Sequence, residues 1–242
     1  MEKKTKIIAT VSDKRCDVEF IKSLYDAGMN AVRINSAHAG IDDADRIVEN
    51  VRKVSEQIAI IIDTKGPEVR LTGLAKGCEN GIPVAAGDKV MIQGTDKDLP
   101  SSDKMLYLSH PSLYESVPVG ATILIDDGEL GMTVTSKQDG ALVCTVNNRG
   151  VIKARKSVKI PCVSLNLPSV TEKDHEYILW AIEKDIDFIA HSCVRSREDV
   201  LAVKKILQEH NSPIKIISKI ENREGVNNID EILLETYGVM VA

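Results

Sequence analysis

The sequence predicts an α/β chain in which parallel strands alternate with helices and an all-β unit interrupts the alternation. Two observations carry this expectation. Apolar strand-like runs alternate with segments of helical period before about residue 70 and again after about residue 160. Such near-continuous apolar strands belong to a parallel sheet covered on both faces. Between these regions the helical period is absent, and short strand candidates are separated by Gly, Asp, Asn and Pro.

Taken in order, residues 6–11 are strand-like, and Val18, Ile21, Leu24 and Tyr25 follow at helical spacing until Gly28 supplies a stop. Residues 31–34 predict a second strand. Ile41, Ala44, Ile47, Val48, Val51 and Val54 mark one face of a second helix, and residues 58–62 predict a third strand. The insertion offers strands at 89–92, 121–125, 132–135 and 142–146. After Pro161 the first texture returns. Thr171 and Asp174 read as a capping-box helix start, continued by Ile178, Leu179 and Ile182. Residues 188–193 predict a strand, Ser196 and Asp199 open a helix, 214–220 predict a strand, 225–235 a helix and 239–242 a last strand.

These are six strands of parallel type, whereas a complete TIM-type (β/α)8 barrel needs eight, with about 250 residues before insertions. The expected architecture is therefore an incomplete TIM-type barrel divided as 1–70 and 160–242, with 71–159 as the insert.

Composition narrows the function classes. The 242 residues are 43% hydrophobic and 28% charged, as in a soluble globular protein, and no apolar run reaches the roughly 20 residues of a membrane helix. The N-terminus shows no signal-peptide pattern. A formal charge of −5 gives no electrostatic reason for a nucleic-acid partner. Five scattered cysteines outside any CxxC spacing predict reduced thiols and a cytoplasmic location.

In parallel α/β folds ligands bind at the C-terminal ends of the strands. There the second strand delivers Arg33 and Asn35, with His38 just beyond; the third delivers Asp63, Thr64 and Lys65. The fourth ends in His191-Ser192 and the fifth in Lys219, Glu221 and Asn222. Alternation puts Arg33 with Asn35, and Lys219 with Glu221, on one face. Each residue alone reads as an ordinary turn or solvated surface group. Together, Arg, Lys and carboxylates on one rim suit a phosphorylated substrate bridged by a divalent metal, although a barrel that only binds phosphate would show the same features.

The blocks TKIIAT (5–10), AGMNAVRIN (27–35), DTKGPEVR (63–70), LIDDGEL (124–130), LPSVTEKD (167–174), FIAHSCVRSREDV (188–200) and KIISKIENREGV (215–226) resemble those of the pyruvate kinase family, in the family's order and across the chain. The resemblance implies that the insert is a small all-β barrel lid domain. It implies transfer of a phosphoryl group from phosphoenolpyruvate to ADP, with Arg33 contacting that group and Lys219 stabilising it in flight. Glu221 would be a carboxylate ligand of Mg²⁺ (or Mn²⁺), and Asn35, Asp63 and Thr64 would match a K⁺ site. Arg70 and Lys156 would contact nucleotide phosphates, with Asn35 and His38 near the nucleotide.

Some residues depart from the family's pattern. Ala37 stands where a Ser hydroxyl helps ligate K⁺; Glu68 resembles K⁺-dependent members, whereas Leu71 resembles independent ones. Ser157, Lys159 and Cys162 replace residues that are commonly Gly, Asn and Gly. The chain also stops before the family's Arg-Gly-Asp metal-binding segment. It therefore reads as an inactive or weakly active fragment of a homotetrameric parent, with an exposed edge strand. The alternatives are a metal-dependent enolate lyase or aldolase barrel and a non-catalytic nucleotide- or phosphate-binding module.

Overall fold

The computed structural model describes residues 4–161 and 163–241. Met1–Lys3, Cys162 and Ala242 lie outside the described residues, and with them the substitution noted at 162 and the last residue of the expected final strand. Two compact units form, one from the chain up to Pro67 together with that from Leu167 onward, the other from Glu68–Asn166.

The first unit runs β1 (Ile8–Thr10), α1 (Val18–Asp26), β2 (Ala31–Asn35), α2 (Ile41–Val54), β3 (Ala59–Asp63), α3 (Glu172–Glu183), β4 (Phe188–His191), α4 (Arg197–Glu209), β5 (Lys215–Ile220), α5 (Arg223–Asn227), α6 (Ile229–Leu233) and β6 (Gly238–Val241). Its six strands pair in sequence order, and every pairing is parallel. This is the curled partial TIM-type barrel that the strand count predicts.

Side-chain alternation divides the sheet's two faces. Val32, Ile34, Ile60, Ile62, Ile189 and Ile216 join Ile47, Val51, Ile178 and Val203 of the helices in the main core. The opposite face carries a smaller cluster of Ala31, Ile61 and Ala190, with Met240 packed against it. Arg33, Asn35 and Asp63 alternate with the main-core residues along their strands and so belong to this second face. Register then sets Asn35 beside Asp63, and Asp63 beside Ala190.

Helix starts follow the sequence signals. Asp17 caps α1 through the Phe20 amide, and Thr171 with Asp174 forms the capping box of α3. Ser196 caps α4. The single helix expected over 225–235 is instead α5 and α6. Asn222 starts α5 early by accepting from the Gly225 amide, and the break falls at Asn228, whose side chain donates to the Arg195 carbonyl at 2.9 Å. The strand expected to reach Cys193 ends at His191, because Cys193 takes a left-handed φ of 58°. At the far side of the sheet β6 pairs with β5 in parallel.

The second unit holds a seven-stranded sheet. Its order is Val69–Arg70, Ser157–Lys159, Thr122–Ile125, Leu130–Gln138, Ala141–Val146, Lys89–Gly94, Leu106–Leu108. A bridge between Leu71 and Leu108 brings the two ends of this order together, giving a nearly closed barrel. Ile92, Leu106, Leu108, Leu113, Met132 and Leu142 fill its interior. Ile82–Val84 and Gly150–Ile152 form a separate two-stranded ribbon. The four strands expected in this region are present; the shorter ones carry too few residues for alternation to register. Among the described residues no helix is long and apolar enough to cross a membrane.

Candidate active site

The C-terminal ends of β2, β3, β4 and β5 bring Arg33, Ser192, Lys219 and Glu221 together around Asp63. This carboxylate is 1% exposed. Its Oδ2 accepts from Arg33 Nε at 2.6 Å and pairs with Nη2 at 2.5 Å. Its Oδ1 accepts from Lys219 Nζ at 3.0 Å. Arg33 also donates through Nη1 to the Thr10 hydroxyl at 2.8 Å. Thr10, at the end of β1, was not singled out by the sequence; its position as the last residue of the first strand was the available signal.

Lys219 is nearly buried; its Nζ donates to Asp63 Oδ1 and to Ser192 Oγ at 2.9 Å, and it forms an ion pair with Glu221 Oε1 at 3.2 Å, three oxygen acceptors of its charge in all. The three acceptors are not equally accessible. The side chains of Asp63 and Glu221 are 1% and 25% exposed, and Ser192 as a residue is 2% exposed. Glu221 is thus the partner that water and solutes can reach. Its other oxygen, Oε2, accepts from the Cys193 amide at 2.9 Å, a bond available because the chain turns left-handed there.

Ser192 ties two strand ends together. Its hydroxyl lies against both Asp63 Oδ1 and the Thr64 carbonyl, and its amide donates to Thr64 Oγ1 at 3.0 Å. Gly66 follows with φ +70°, and a Cβ there would sit 2.8 Å from Ser192 Cβ, so the backbone must pass close at this point.

The remaining predicted residues are placed as follows. Asn35 Oδ1 accepts from the Ala37 amide at 3.0 Å, closing an Asx turn. Thr64 is buried between Ala190 and Ser192, and His38 is exposed beyond β2. Arg70 and Lys156 belong to the second unit, on paired segments. Arg70 is held by Glu68 at 2.7 Å and by the Arg155 carbonyl at 2.8 Å; Lys156 is held by Asp126 at 3.0 Å.

Among the described residues no group of three or more His, Cys, Asp and Glu side chains could hold a metal ion. Mg²⁺ commonly takes only one or two carboxylates, the rest of its shell being water and substrate phosphate. Accessible Glu221 fits the part of one such carboxylate. The K⁺ donors fit less well: Asp63, Thr64 and Asn35 each already carry protein hydrogen bonds, and Ala37 offers no side-chain oxygen.

At the end of β4, His191 has the charged groups of Asp174, Arg195 and Asp199 near it. His191 is fully buried, and neither ring nitrogen meets hydrogen-bond geometry. Burial pushes its pKa below the ordinary value, against the pull of the Asp199 and Asp174 carboxylates and the nearby Asp199 backbone. Burial also works to raise the pKa of Asp199, yet hydrogen bonds from Arg195 and Ser169 outweigh it and hold that carboxyl below its usual range. The buried Ser36 hydroxyl likewise has no hydrogen-bond partner.

Comparison with known proteins agrees with the assignment carried by the sequence blocks. A family model described as pyruvate kinase, barrel domain, matches residues 2–242. The chain is 48% identical over its whole length to a pyruvate kinase of Borreliella burgdorferi, covering 50% of that protein. It is 41% identical to one of Geobacillus stearothermophilus, covering 42% of it, and 38% identical to one of Dictyostelium discoideum, covering 48%. The chain thus spans about half the length of the curated relatives it matches. With the six-stranded parallel sheet, the inserted β unit and a match of this extent, the chain belongs to the pyruvate kinase family.

Proposed function

We propose that this chain carries the phosphoryl-transfer rim of a pyruvate kinase, moving the phosphoryl group of phosphoenolpyruvate to ADP to give pyruvate and ATP. The observation that carries the reading is the convergence of Arg33 and Lys219, from different strands, on the buried carboxylate of Asp63. Asp63 sets the positions of both cations and compensates them while no substrate is present. A phosphoryl group entering from solvent meets Arg33 and displaces Glu221 from Lys219, because Glu221 is the accessible one of the three acceptors. Lys219 then stabilises charge on the group in transit. Such transfer asks for positioning and charge neutralisation more than for covalent chemistry.

In this reading Glu221, freed from Lys219, is one carboxylate ligand of Mg²⁺ or Mn²⁺. When bound, that cation neutralises charge on the phosphate oxygens. Asn35, Asp63 and Thr64 are the candidate K⁺ donors. Arg70 and Lys156 meet nucleotide phosphates by exchanging Glu68 and Asp126 for them, and His38 and Asn35 lie toward the nucleotide. The setting proposed is glycolysis in the cytoplasm, with phosphoenolpyruvate and ADP as partners and a homotetramer as the assembled parent.

The binding half of this proposal is tested by ³¹P NMR titration of phosphoenolpyruvate with Mg²⁺. The chain should broaden or shift the phosphate resonance, and Arg33→Met and Lys219→Met should each weaken that effect at least tenfold. Equal binding by all three proteins would sink the assignment of the rim.

A further inference from the structure

We infer that Asp174 is a positioning residue for the Lys219 ammonium, acting through the loop that follows β3 and not only as a helix cap. The inference rests on the proposed phosphoryl-transfer role of Lys219 and adds a residue to it.

Asp174 lies in the first turn of α3, is fully buried, and uses each carboxylate oxygen for a different purpose. Oδ2 completes the capping box, accepting from the Thr171 hydroxyl at 2.7 Å and the Thr171 amide at 3.3 Å. A cap needs no more than this. Oδ1 instead accepts from the amides of Lys65 at 3.0 Å and Gly66 at 3.3 Å, more than a hundred positions earlier in the chain. Those amides belong to the segment that begins with Asp63 and Thr64.

From Gly66 the chain of contact runs straight to the rim. A Cβ on Gly66 would lie 2.8 Å from Ser192 Cβ and 3.3 Å from the Ser192 carbonyl, so the Gly66 backbone forms one wall of the Ser192 site. Ser192 Oγ accepts from Lys219 Nζ at 2.9 Å and touches Asp63 Oδ1 at 3.2 Å. The same loop thus continues directly from Asp63, the last residue of β3 and one acceptor of the ammonium, and confines Ser192, which is another. Releasing the Lys65 and Gly66 amides loosens two of the three acceptors of Lys219 together. Sub-ångström placement of this kind matters to transfer rates: misplacement by about 1 Å can cost roughly a hundredfold.

Two variants separate this role from capping. Thr171→Ala removes the hydroxyl that partners Asp174 in the cap but leaves the loop contacts in place. Asp174→Asn keeps the volume but can no longer accept at both oxygens. The primary readout needs no substrate: the ¹H–¹⁵N signal of the Lys219 ammonium, visible in NMR when the group is buried and held by acceptors, recorded with amide exchange at Lys65 and Gly66. Thr171→Ala should lower Tm while leaving the Lys219 signal in place. Asp174→Asn should shift or broaden that signal and speed exchange of the two amides at least tenfold. In the longest natural chain carrying this sequence, Asp174→Asn should also lower kcat roughly 10- to 100-fold with KM for ADP changed less than threefold.

Should Asp174→Asn fail to fold, Gly66→Ala perturbs the same loop from the Ser192 side and should move the Lys219 signal as well. A folded Asp174→Asn protein with an unchanged Lys219 signal and unchanged amide exchange would overturn the inference and leave Asp174 a cap alone. Because the signal is read without substrate, it stands or falls separately from the kinase reading.

Discussion

Replacing Asp63 by Asn tests the ion network that organises the rim. The substitution keeps the side-chain volume and removes the negative charge from between Arg33 and Lys219. Asp63 is 1% exposed and Lys219 only 11% at its side chain, whereas Arg33 is 25% exposed and can regain some hydration. Removing one member of a buried pair costs about 3–5 kcal/mol, because the remaining charge stays buried without compensation. The hydration open to Arg33 and the remaining partners of Lys219, Ser192 and Glu221, place Asp63→Asn at the low end, about 3 kcal/mol. The chain's one tryptophan, Trp180, lies on α3 in the same unit, with its indole N–H on Asp45 at 2.8 Å. Its fluorescence therefore reports urea unfolding of the parallel unit. A cycle with Lys219→Met isolates the pairwise part: Lys219→Met should destabilise less in the Asp63→Asn background than in the parent, with a coupling of about 1 kcal/mol or more. A loss within about 0.5 kcal/mol, as for an ordinary surface substitution, or strict additivity would refute the network.

Three further outcomes follow from the structure. His191 has a depressed folded pKa, so the unfolded chain binds the proton more readily; stability should be full above about pH 6.5 and fall as pH drops toward the folded value, and His191→Leu should flatten that limb in urea titrations at successive pH values. Asp199 also has a depressed pKa, so its contribution is present above about pH 4 and lost as pH falls through the folded value; Asp199→Asn should lower Tm at pH 7 and reduce the acid dependence. Burial pushes the Cys144 thiol up to about 12, and with buried Cys16 it should resist alkylation in the native protein, whereas peptide mapping should find Cys78 and Cys193 modified.

The strands of the parallel unit were legible because β-branched runs such as Ile60-Ile61-Ile62 mark them, and two of its helices because Thr171 and Ser196 announce them; the Asp17 cap of α1 was not singled out. The split between α5 and α6 was not, since it depends on Asn228 reaching a carbonyl on a distant loop. In the inserted unit, Leu106–Leu108 and Ser157–Lys159 are strands through their pairing partners and show no period of their own. At the rim, chain position alone put Arg33, Asp63 and Lys219 at the C-terminal ends of strands of one sheet. The sequence could not show that one buried carboxylate would hold both cations. Nor could it show Asp174 joined to the loop after β3, because that contact bridges the insertion. The family resemblance implied the roles of these residues; the folded geometry adds which partners each would exchange under the proposed function.

The proposed role of Lys219 is to serve phosphoryl transfer from phosphoenolpyruvate to ADP. The direct measurement is pyruvate formation by the longest natural chain carrying this sequence, with Mg²⁺, beside the same protein bearing Lys219→Met. Turnover by the parent, and a loss of roughly a hundredfold or more in kcat in a variant that still folds, is the predicted result. A folded Lys219→Met protein that makes pyruvate at the parent rate would contradict it.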